Sequence, residues 1–406
     1  MGQFFSDKTE EAIELLFKHY EQDKMKRASE LLTEAAKEGD ADAYYFLSRC
    51  FLGQQYIWKY SGFEDDEKKS TELLKKSIEM GSACGVLGGM RTTGMSNATV
   101  HRIMTFDTIK EAFDIVLQKA EAGHPFCQYM IGNTYYWDDI YEIEHFTPEQ
   151  YDKIKPEYMK KAEDWFLKAV HQGYAFFSKN LLLMYQDGEE GFAPNAKKYA
   201  ELLKYCANTG HPGFEAEYAD YLYDNNQYEE SLRYFESSVN KGNLDAWADI
   251  GYMYDNGQGT KKDATYAVSC YLKGAEVGRL LAQTQLGLSY YYGVGTEVDY
   301  GRAYYWLDMA ASRDDKHAFP VLGMCYLKGL GVEQDHVAAR LLFEECEDKP
   351  TALTGLGLIY VDGLGVPEDI NKGIDYLKRA EKLGSEDAPM HIARFKKGLL
   401  GKWKRR

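Results

Sequence analysis

The chain has 406 residues and a formal net charge of −16, from 48 Lys and Arg against 64 Asp and Glu. This balance disfavours nucleic acid as a partner, because binding to phosphate backbones needs a basic footprint, and it favours basic or neutral partners. No run of about 18 apolar residues occurs in the sequence, so we expect no membrane-spanning helix.

The N-terminal half is predicted to consist of helix pairs that recur at irregular intervals. Two apolar residues and an aromatic residue stand four apart at Ala12, Leu16 and Tyr20, and the pattern returns from Ala43 and from Cys127. Residues spaced by four lie on one face of a helix. The repeats begin at positions 12, 43, 83, 127, 177 and 214. Insertions are expected in the three longest intervals, at Gln54–Phe63, Thr92–Phe106 and Asp138–Pro156.

Some positions in this half depart from the pattern. The third repeat has Arg91 where most of the others have an aromatic residue. The His-Pro pairs that start at His124 and His211 follow predicted second helices. We expect these pairs to mark helix ends, where a cationic side chain suits the helix dipole.

The C-terminal half contains four regular copies of one segment, whose starts are 36, 36 and 34 residues apart. The copies are Ala246–Tyr254, Ala282–Tyr290, Ala318–Tyr326 and Ala352–Tyr360. A period in this range is typical of stacked repeat arrays. The glycine at the sixth position of each copy costs about 1 kcal/mol in a helix, which predicts close approach by a neighbouring helix. A Gly-x-Gly ends each first helix. An aspartate then caps the second helix, at Asp263, Asp299, Asp335 and Asp369.

This combination resembles the Sel1-like repeat family, a relative of the tetratricopeptide repeats. The evidence is the glycine within the first helix, the Y-x-x-G-x-G-V loop at Tyr326–Val332 and Tyr360–Val366, the aspartate cap, and the aromatic, alanine-rich second helix. The resemblance implies an all-α, right-handed α/α solenoid superhelix of about ten helix-turn-helix repeats plus a C-terminal capping helix. We predict irregular repeats over 1–245, four regular repeats over 246–387, and the capping helix with a basic tail over 388–406, in one continuous solenoid.

The resemblance also implies a function, since Sel1-like proteins are generally non-enzymatic adaptors that hold other proteins together. In related arrays the first helices line the concave face, which places partner contacts one, four and five residues beyond each repeat glycine. The twelve candidate contacts are Tyr252, Asp255, Asn256, Leu288, Tyr291, Tyr292, Met324, Leu327, Lys328, Leu358, Val361 and Asp362. We expect an unknown protein or peptide partner with apolar anchors and some positive charge, and self-association is left open.

Equivalent positions upstream include Asn133 and Trp137. The whole set contains no cluster of Lys, Arg and Asn side chains that would clamp a C-terminal carboxylate. The sequence therefore disfavours a receptor for chaperone tails.

The sequence predicts no catalytic residue, cofactor or metal site. The glycine pairs follow helices and never continue to a phosphate-binding motif, and the histidines lack zinc-ligand spacing. An alternative is an enzyme or regulator with a site in the inserted segments, which contain Trp58, His101, Asp138, Asp139 and His145.

Seven scattered cysteines, none in a Cys-x-x-Cys pair, suit buried thiols in a reducing compartment. No apolar leader is seen, so we expect a cytoplasmic protein. Met1–Ser6 fits a loose myristoylation pattern, which makes a membrane-peripheral scaffold a further alternative, although Phe4 and Phe5 serve equally as a hydrophobic cap. The basic tail, Lys396–Arg406, is expected to cap the array or to contact an acidic surface on a partner or on this protein.

Overall fold

A computed structural model of the chain describes residues 4–52, 62–92, 94–398 and 402–406. Over these ranges the protein contains 23 α-helices and one two-stranded antiparallel sheet. The described helices form ten successive pairs and a terminal helix, with short additional helices in the insertions, and the pairs correspond to the repeat starts predicted from the sequence. The all-α solenoid fold is therefore confirmed.

The chain divides into two compact bodies. The N-terminal body contains Met1–Gln227 and Asn240–Asn243, and the C-terminal body contains Tyr228–Val239 and Leu244–Arg406. The helices of the N-terminal body are α1 (Asp7–Lys18), α2 (Gln22–Lys37), α3 (Ala41–Cys50), α4 (Glu67–Glu79), α5 (Ala83–Gly89), α6 (Asn97–Ile103), α7 (Ile109–Glu121), α8 (Pro125–Tyr136), α9 (Asp139–Ile143), α10 (Pro148–Val170), α11 (Lys179–Gln186), α12 (Ala196–Asn208) and α13 (Pro212–Asp224).

The C-terminal body takes α14 up to Val239 and all later elements. These elements are α14 (Tyr228–Asn240), α15 (Trp247–Asn256), α16 (Ala264–Glu276), α17 (Leu280–Tyr292), α18 (Tyr300–Ala311), α19 (Phe319–Lys328), α20 (His336–Glu344), α21 (Pro350–Asp362), α22 (Ile370–Lys382), α23 (Ala388–Ile392), β1 (Phe395–Lys397) and β2 (Trp403–Arg405). Of the predicted insertions, the second contains α6, the third contains α9 and the start of α10, and residues 54–61 of the first lie outside the described residues.

The N-terminal body closes on itself through an aromatic cluster. α1 contacts the 3-10 turn Ala175–Ser178, which belongs to the fifth repeat. The ring centroid of Phe17 on α1 lies 5.5 Å from that of Phe126 and 5.1 Å from that of Phe177, and Phe46 lies 4.7 Å from Phe126. Aromatic pairs at these distances stabilise by about 0.5–1.5 kcal/mol beyond the area that they bury. Repeats that are distant in sequence therefore meet at the centre of this body.

In the C-terminal body, the repeat glycine allows the two helices of one pair to approach closely. A Cβ atom on Gly287 would lie 2.7 Å from Leu307 Cγ, and one on Gly357 would lie 2.6 Å from Leu377 Cγ. Both distances are far shorter than van der Waals contact. The predicted close approach is thus confirmed, and the neighbour is the second helix of the same repeat.

The second glycine of each Gly-x-Gly joins successive repeats. Gly295 has a φ of +73°, and a Cβ atom there would collide with the carbonyl of Ala264, at the start of the preceding second helix. One repeat later, Gly331 faces the carbonyl of Tyr300 in the same way. A left-handed φ and a backbone neighbour both exclude a side chain, so this loop fixes how one repeat stacks on the last.

The aspartates that follow these loops cap the second helices, as predicted. Asp263, Asp299 and Asp369 each accept a hydrogen bond of 2.9 Å from the backbone N–H three residues later. Asp335 accepts two such bonds of 2.9 Å. Each cap satisfies helix-end donors that would otherwise be unpaired and stabilises by about 1 kcal/mol.

The two His-Pro pairs begin helices rather than end them, which corrects the sequence interpretation. His124 caps α8 and His211 caps α13. Their Nδ1 atoms accept hydrogen bonds from the backbone N–H groups of Cys127, at 3.3 Å, and Gly213, at 3.1 Å. The proline occupies the first helical position, where no N–H is needed.

We expect the cap at His211 to make the free energy of unfolding fall in mild acid. Burial, with Lys179 and Lys241 nearby, lowers the pKa of His211 to about 3, whereas an unfolded histidine titrates near pH 6.5. The unfolded chain therefore binds more protons between these values, so stability that is complete above pH 6.5 is lost as the pH falls towards 3. His211→Asn keeps a cap acceptor that does not titrate. Urea unfolding at pH 7 and at pH 5 measures how much the free energy of unfolding falls between the two pH values. This fall should be smaller by about 1–2 kcal/mol in the variant than in the wild type, and equal falls would contradict the low pKa of His211.

The C-terminal end combines a short helix with a hairpin. α23 spans only five residues, so the capping helix is shorter than we expected. The basic tail forms β1 and β2, which pair antiparallel with Phe395 opposite Arg405. Successive strand residues point to opposite faces, so Phe395 packs in the core, at 1% exposure, while the next residue, Lys396, is exposed.

Candidate partner-binding surface

The twelve candidate contacts all lie in the C-terminal halves of α15, α17, α19 and α21, the first helices of the four regular repeats. Nine of them reach solvent, and we name these nine the first-helix surface. Four are exposed, namely Tyr252, Asn256, Tyr292 and Lys328. Five are half-buried, namely Asp255, Leu288, Tyr291, Leu358 and Asp362.

Three of the candidates are core residues, which corrects their assignment as contacts. Met324 and Leu327 are 8% and 4% exposed and pack in the cluster that contains Phe343. Val361 is fully buried, and a Cβ atom on Gly373 of α22 would lie 2.5 Å from its Cγ1. These side chains cannot touch a partner while the body is folded.

Helical geometry accounts for the burial of two of them, Leu327 and Val361. At about 100° per residue, a residue four beyond the repeat glycine returns to within about 40° of it, and that glycine faces the second helix. Leu327 and Val361 occupy this position and are buried. A residue five beyond the glycine is rotated by about 140°, and Asn256, Tyr292 and Lys328 at that position are exposed.

Tyrosines dominate the middle of the first-helix surface. The Tyr291 ring centroid lies 4.9 Å from that of Tyr292 and 5.6 Å from that of Tyr300, both edge to face. Burial raises the pKa of Tyr291 and of Tyr292, and the carboxylate of Asp387 contributes to both shifts. Their hydroxyls therefore stay protonated and can donate hydrogen bonds.

Asp362, a predicted contact, is engaged by Arg394 and by Arg405 of the basic tail. Its carboxylate lies 2.7 Å from an Arg394 nitrogen and 3.0 Å from an Arg405 nitrogen. Partial burial opposes its ionisation, but hydrogen bonds from the two arginines lower the pKa of Asp362. Arg405 also pairs with Glu368 at 2.7 Å. The tail therefore contacts an acidic surface of its own body, one of the two outcomes expected from the sequence.

The inserted segments, which were the alternative location for an enzymatic or regulatory site, form ion pairs. Asp138 has a left-handed φ of 60° and accepts hydrogen bonds from the Tyr151 hydroxyl at 2.6 Å and from Lys155 at 2.9 Å. Asp139 pairs with Arg91. These contacts tie α9 to α10 and to the segment after α5.

The remaining candidate residues of the inserted segments do not join these contacts. His101 Nε2 lies 3.6 Å from a Glu142 carboxylate oxygen, His145 occupies a left-handed turn, and Trp58 lies outside the described residues. Across the described ranges, no group of three or more His, Cys, Asp and Glu side chains is placed to hold a metal ion.

A chemical cluster that the sequence did not indicate lies at the start of α8. His124 Nε2 is 3.0 Å from Glu10 Oε2. Cys127 lies beside His124, and Cys84 lies beside Cys127. A hydrogen bond with Cys127 and burial raise the pKa of Cys84. Burial opposes ionisation of Cys127, but Cys84 and His124 lower its pKa to about 6. Both thiols and the imidazole are at most 4% exposed, so the cluster is closed to a macromolecular substrate.

Six segments of the chain are similar to a known repeat family. The model of the Sel1 repeat family matches residues 41–82, 156–174, 246–278, 280–315, 321–345 and 350–385. The structure of a Sel1 repeat protein from Oxalobacter formigenes is similar, with 21% identity over 97% of this chain and 96% of that one, at a TM-score of 0.48. The protective antigen c5321 of uropathogenic Escherichia coli shares 20% identity over 91% of each chain, at a TM-score of 0.43. Yeast Tom70 shares 11% identity over 91% of this chain and 84% of its own, at a TM-score of 0.32. Curated protein sequences gave no significant match.

Proposed function

Because the chain belongs to the Sel1-like repeat family, we propose that it is a non-catalytic adaptor that binds a segment of a partner protein along the first-helix surface. The observation that carries this proposal is the exposure of Tyr252 and Tyr292, at 36% and 56%, on consecutive first helices. Tyrosine is enriched among the residues that dominate binding energy at protein interfaces. We take the first-helix surface to be the concave face of the C-terminal body.

The chemistry of this surface favours a partner segment with apolar anchors and some positive charge. The tyrosine rings offer apolar area and hydroxyl donors, and Asp255 supplies a half-buried carboxylate near Tyr252. The net charge of −16 adds a long-range attraction for basic partners, which raises association rates. An extended or helical segment would fit such a row of side chains.

A pair of matched variants tests the proposal. Tyr292 on α17 and Tyr305 on α18 are 56% and 54% exposed, so they differ mainly in the helix on which they stand. In affinity purification from the native cell, Tyr292→Ala should weaken recovery of the co-purifying partner about tenfold, the loss of about 1.4 kcal/mol. Tyr305→Ala should leave recovery unchanged. Equal recovery with both variants would count against the first-helix surface.

A catalytic or regulatory site in the inserted segments is the weaker alternative, since Asp138 and Asp139 are already engaged in ion pairs. We also propose a cytoplasmic location, which is supported by seven free cysteines that are all buried. Over the part of the chain that the structure describes, every helix is too short or too polar to cross a bilayer. Met1–Gln3, the first residues of the loose myristoylation pattern, lie outside the described residues.

A further inference from the structure

The C-terminal hairpin concentrates positive charge in an acidic chain. Residues 394–406 contain seven Lys and Arg residues and no Asp or Glu, in a protein of net charge −16. Two of the seven, Arg394 and Arg405, form ion pairs with Asp362 and Glu368. Over the ranges that the structure describes, the other five are exposed and lie within ion-pair distance of no carboxylate, namely Lys396, Lys397, Lys402, Lys404 and Arg406.

One face of the hairpin anchors it to the C-terminal body. Phe395 and Arg405 stand opposite each other on this face. Phe395 packs in a core cluster that α21 and α22 share, and Arg405 reaches the carboxylate of Asp362. The backbone N–H of Trp403 donates to Asn371 Oδ1 at 3.1 Å. These contacts fix the orientation of the hairpin, so that its other face points to solvent.

The outward face carries four basic side chains. Lys396 stands directly opposite Lys404, and side chains two residues apart along a strand share a face. Lys402 and Arg406, which flank β2, therefore lie on the same face as Lys404. Hydrogen bonds to the other strand continue at both residues, at 2.8 Å to the Lys402 carbonyl and at 3.1 Å from the Arg406 N–H. We name these four side chains the basic face.

The arrangement of the basic face is electrostatically unfavourable on its own. Opposed side chains in an antiparallel pair have Cβ atoms about 4.5–5.5 Å apart, and like charges at such positions destabilise the pair. Lys396 and Lys404 form such a pair. Neighbouring charges along the strand follow at about 7 Å. A bound anionic surface would relieve this repulsion.

The chemistry of the basic face fits an extended anionic surface better than an acidic peptide. Its four side chains include no apolar or aromatic anchor of the kind that dominates peptide binding. Three of them are lysines, which are compact point charges and lack the fixed fork that clamps one carboxylate. An anionic bilayer requires charge alone, and each Lys or Arg near its surface strengthens binding about fivefold.

Nucleic acid fits the basic face less well. Sequence-specific binding needs groups that read base edges, and binding of single strands relies on aromatic rings that stack on bases. The basic face has neither, since it consists of three lysines and one arginine.

We propose that the basic face docks the C-terminal body on an anionic membrane surface, with Lys396, Lys402, Lys404 and Arg406 against the lipid headgroups. The contact is peripheral and reversible, because charge alone supplies the attraction. At about 0.1 M salt, charges more than about 10 Å away are largely screened, so the acidic remainder of the chain repels the bilayer only weakly. The cytoplasmic leaflet carries anionic lipids, which agrees with the location proposed above. This surface is additional to the first-helix surface and takes a partner of opposite charge.

Co-sedimentation of the intact protein with vesicles tests the proposal. The vesicles contain about 30% phosphatidylserine in phosphatidylcholine, at about 0.1 M salt. We expect the wild type to bind these vesicles and not vesicles of phosphatidylcholine alone. Lys396→Gln/Lys404→Gln should bind about 25-fold more weakly, since two charges are lost. The control, Lys153→Gln/Lys160→Gln, makes the same change in net charge at two exposed lysines of α10 and should bind like the wild type.

The stability of the hairpin variant provides a second readout. Thermal unfolding of Lys396→Gln/Lys404→Gln should occur at or above the wild-type temperature, because the substitutions remove the repulsion between opposed lysines. A lower unfolding temperature would show that the two lysines hold the hairpin together, and it would contradict their assignment to a free basic face.

Three binding results would overturn the proposal. The first is no binding of the folded wild type to the phosphatidylserine vesicles. The second is equal weakening by the two double variants, which would indicate attraction to the chain as a whole. The third is tighter binding of a labelled hexaglutamate peptide than of the vesicles, lost in Lys396→Gln/Lys404→Gln, which would assign the basic face to an acidic protein.

Discussion

Replacing Gly331 with Ala should lower the free energy of unfolding by about 2–5 kcal/mol. Two causes add. A φ of +74° costs a residue with a Cβ atom about 1–2 kcal/mol, and the new methyl group would collide with the Tyr300 carbonyl, an overpacking cost of about 1–3 kcal/mol. Because the neighbour is backbone, it cannot rotate away as a side chain would. Urea unfolding of the intact chain, followed by circular dichroism, measures the loss.

The matched control is Gly278→Ala. Gly278 also has a left-handed φ, of +84°, but a Cβ atom there would meet no atom within 4 Å. The free energy of unfolding of the control should therefore fall only by the cost of a left-handed φ, about 1–2 kcal/mol. Equal losses in the two variants would show that the contact with the preceding repeat contributes nothing.

Replacing Phe343 with Ala should be similarly damaging and lower the free energy of unfolding by about 3–5 kcal/mol. Phe343 on α20 is fully buried. Its ring fills the space left by two glycines. A Cβ atom on Gly323 of α19 would lie 2.5 Å from its Cε1, and one on Gly355 of α21 would overlap its Cε2 and Cζ. The ring is therefore held between the first helices of two successive repeats.

A double-mutant cycle separates this fit from simple burial. In the wild type, Gly355→Ala should destabilise, because its methyl group overlaps the ring. In the Phe343→Ala background, the same change should stabilise, since alanine gains about 1 kcal/mol of helix propensity and fills part of the cavity. Urea unfolding measures the effect of Gly355→Ala on the free energy of unfolding in each background. An effect of the same sign in both backgrounds would contradict the packing described for Phe343.

Local features of the repeats were predictable from the sequence because they rest on short-range rules. The four aspartate caps and the ten helix pairs follow from spacing and capping preferences, and the structure confirms them. The surface was harder to predict. A fixed offset from the glycine does not distinguish Leu327, which packs beside Phe343, from Tyr291 at the same offset, which is half-buried.

Features that depend on distant residues could not be predicted. Arg49, Arg91 and Lys179 stand in three different repeats and line one cavity only after the N-terminal body closes through its aromatic cluster. The C-terminal hairpin depends on Arg405 reaching Asp362 and Glu368, 43 and 37 residues away in sequence. Periodicity within one repeat carries no information on such pairs.

Site-specific photo-crosslinking in the native cell tests the central claim most directly. A benzophenone amino acid placed at Tyr292 or, in a second protein, at Tyr305 reports which helix a partner touches, and the two sites differ by only two percentage points in exposure. If the first-helix surface is the binding site, a discrete protein adduct should form from position 292 and not from position 305. An adduct from position 305 alone, or equal adducts from both positions, would contradict the claim that partners bind along the first helices.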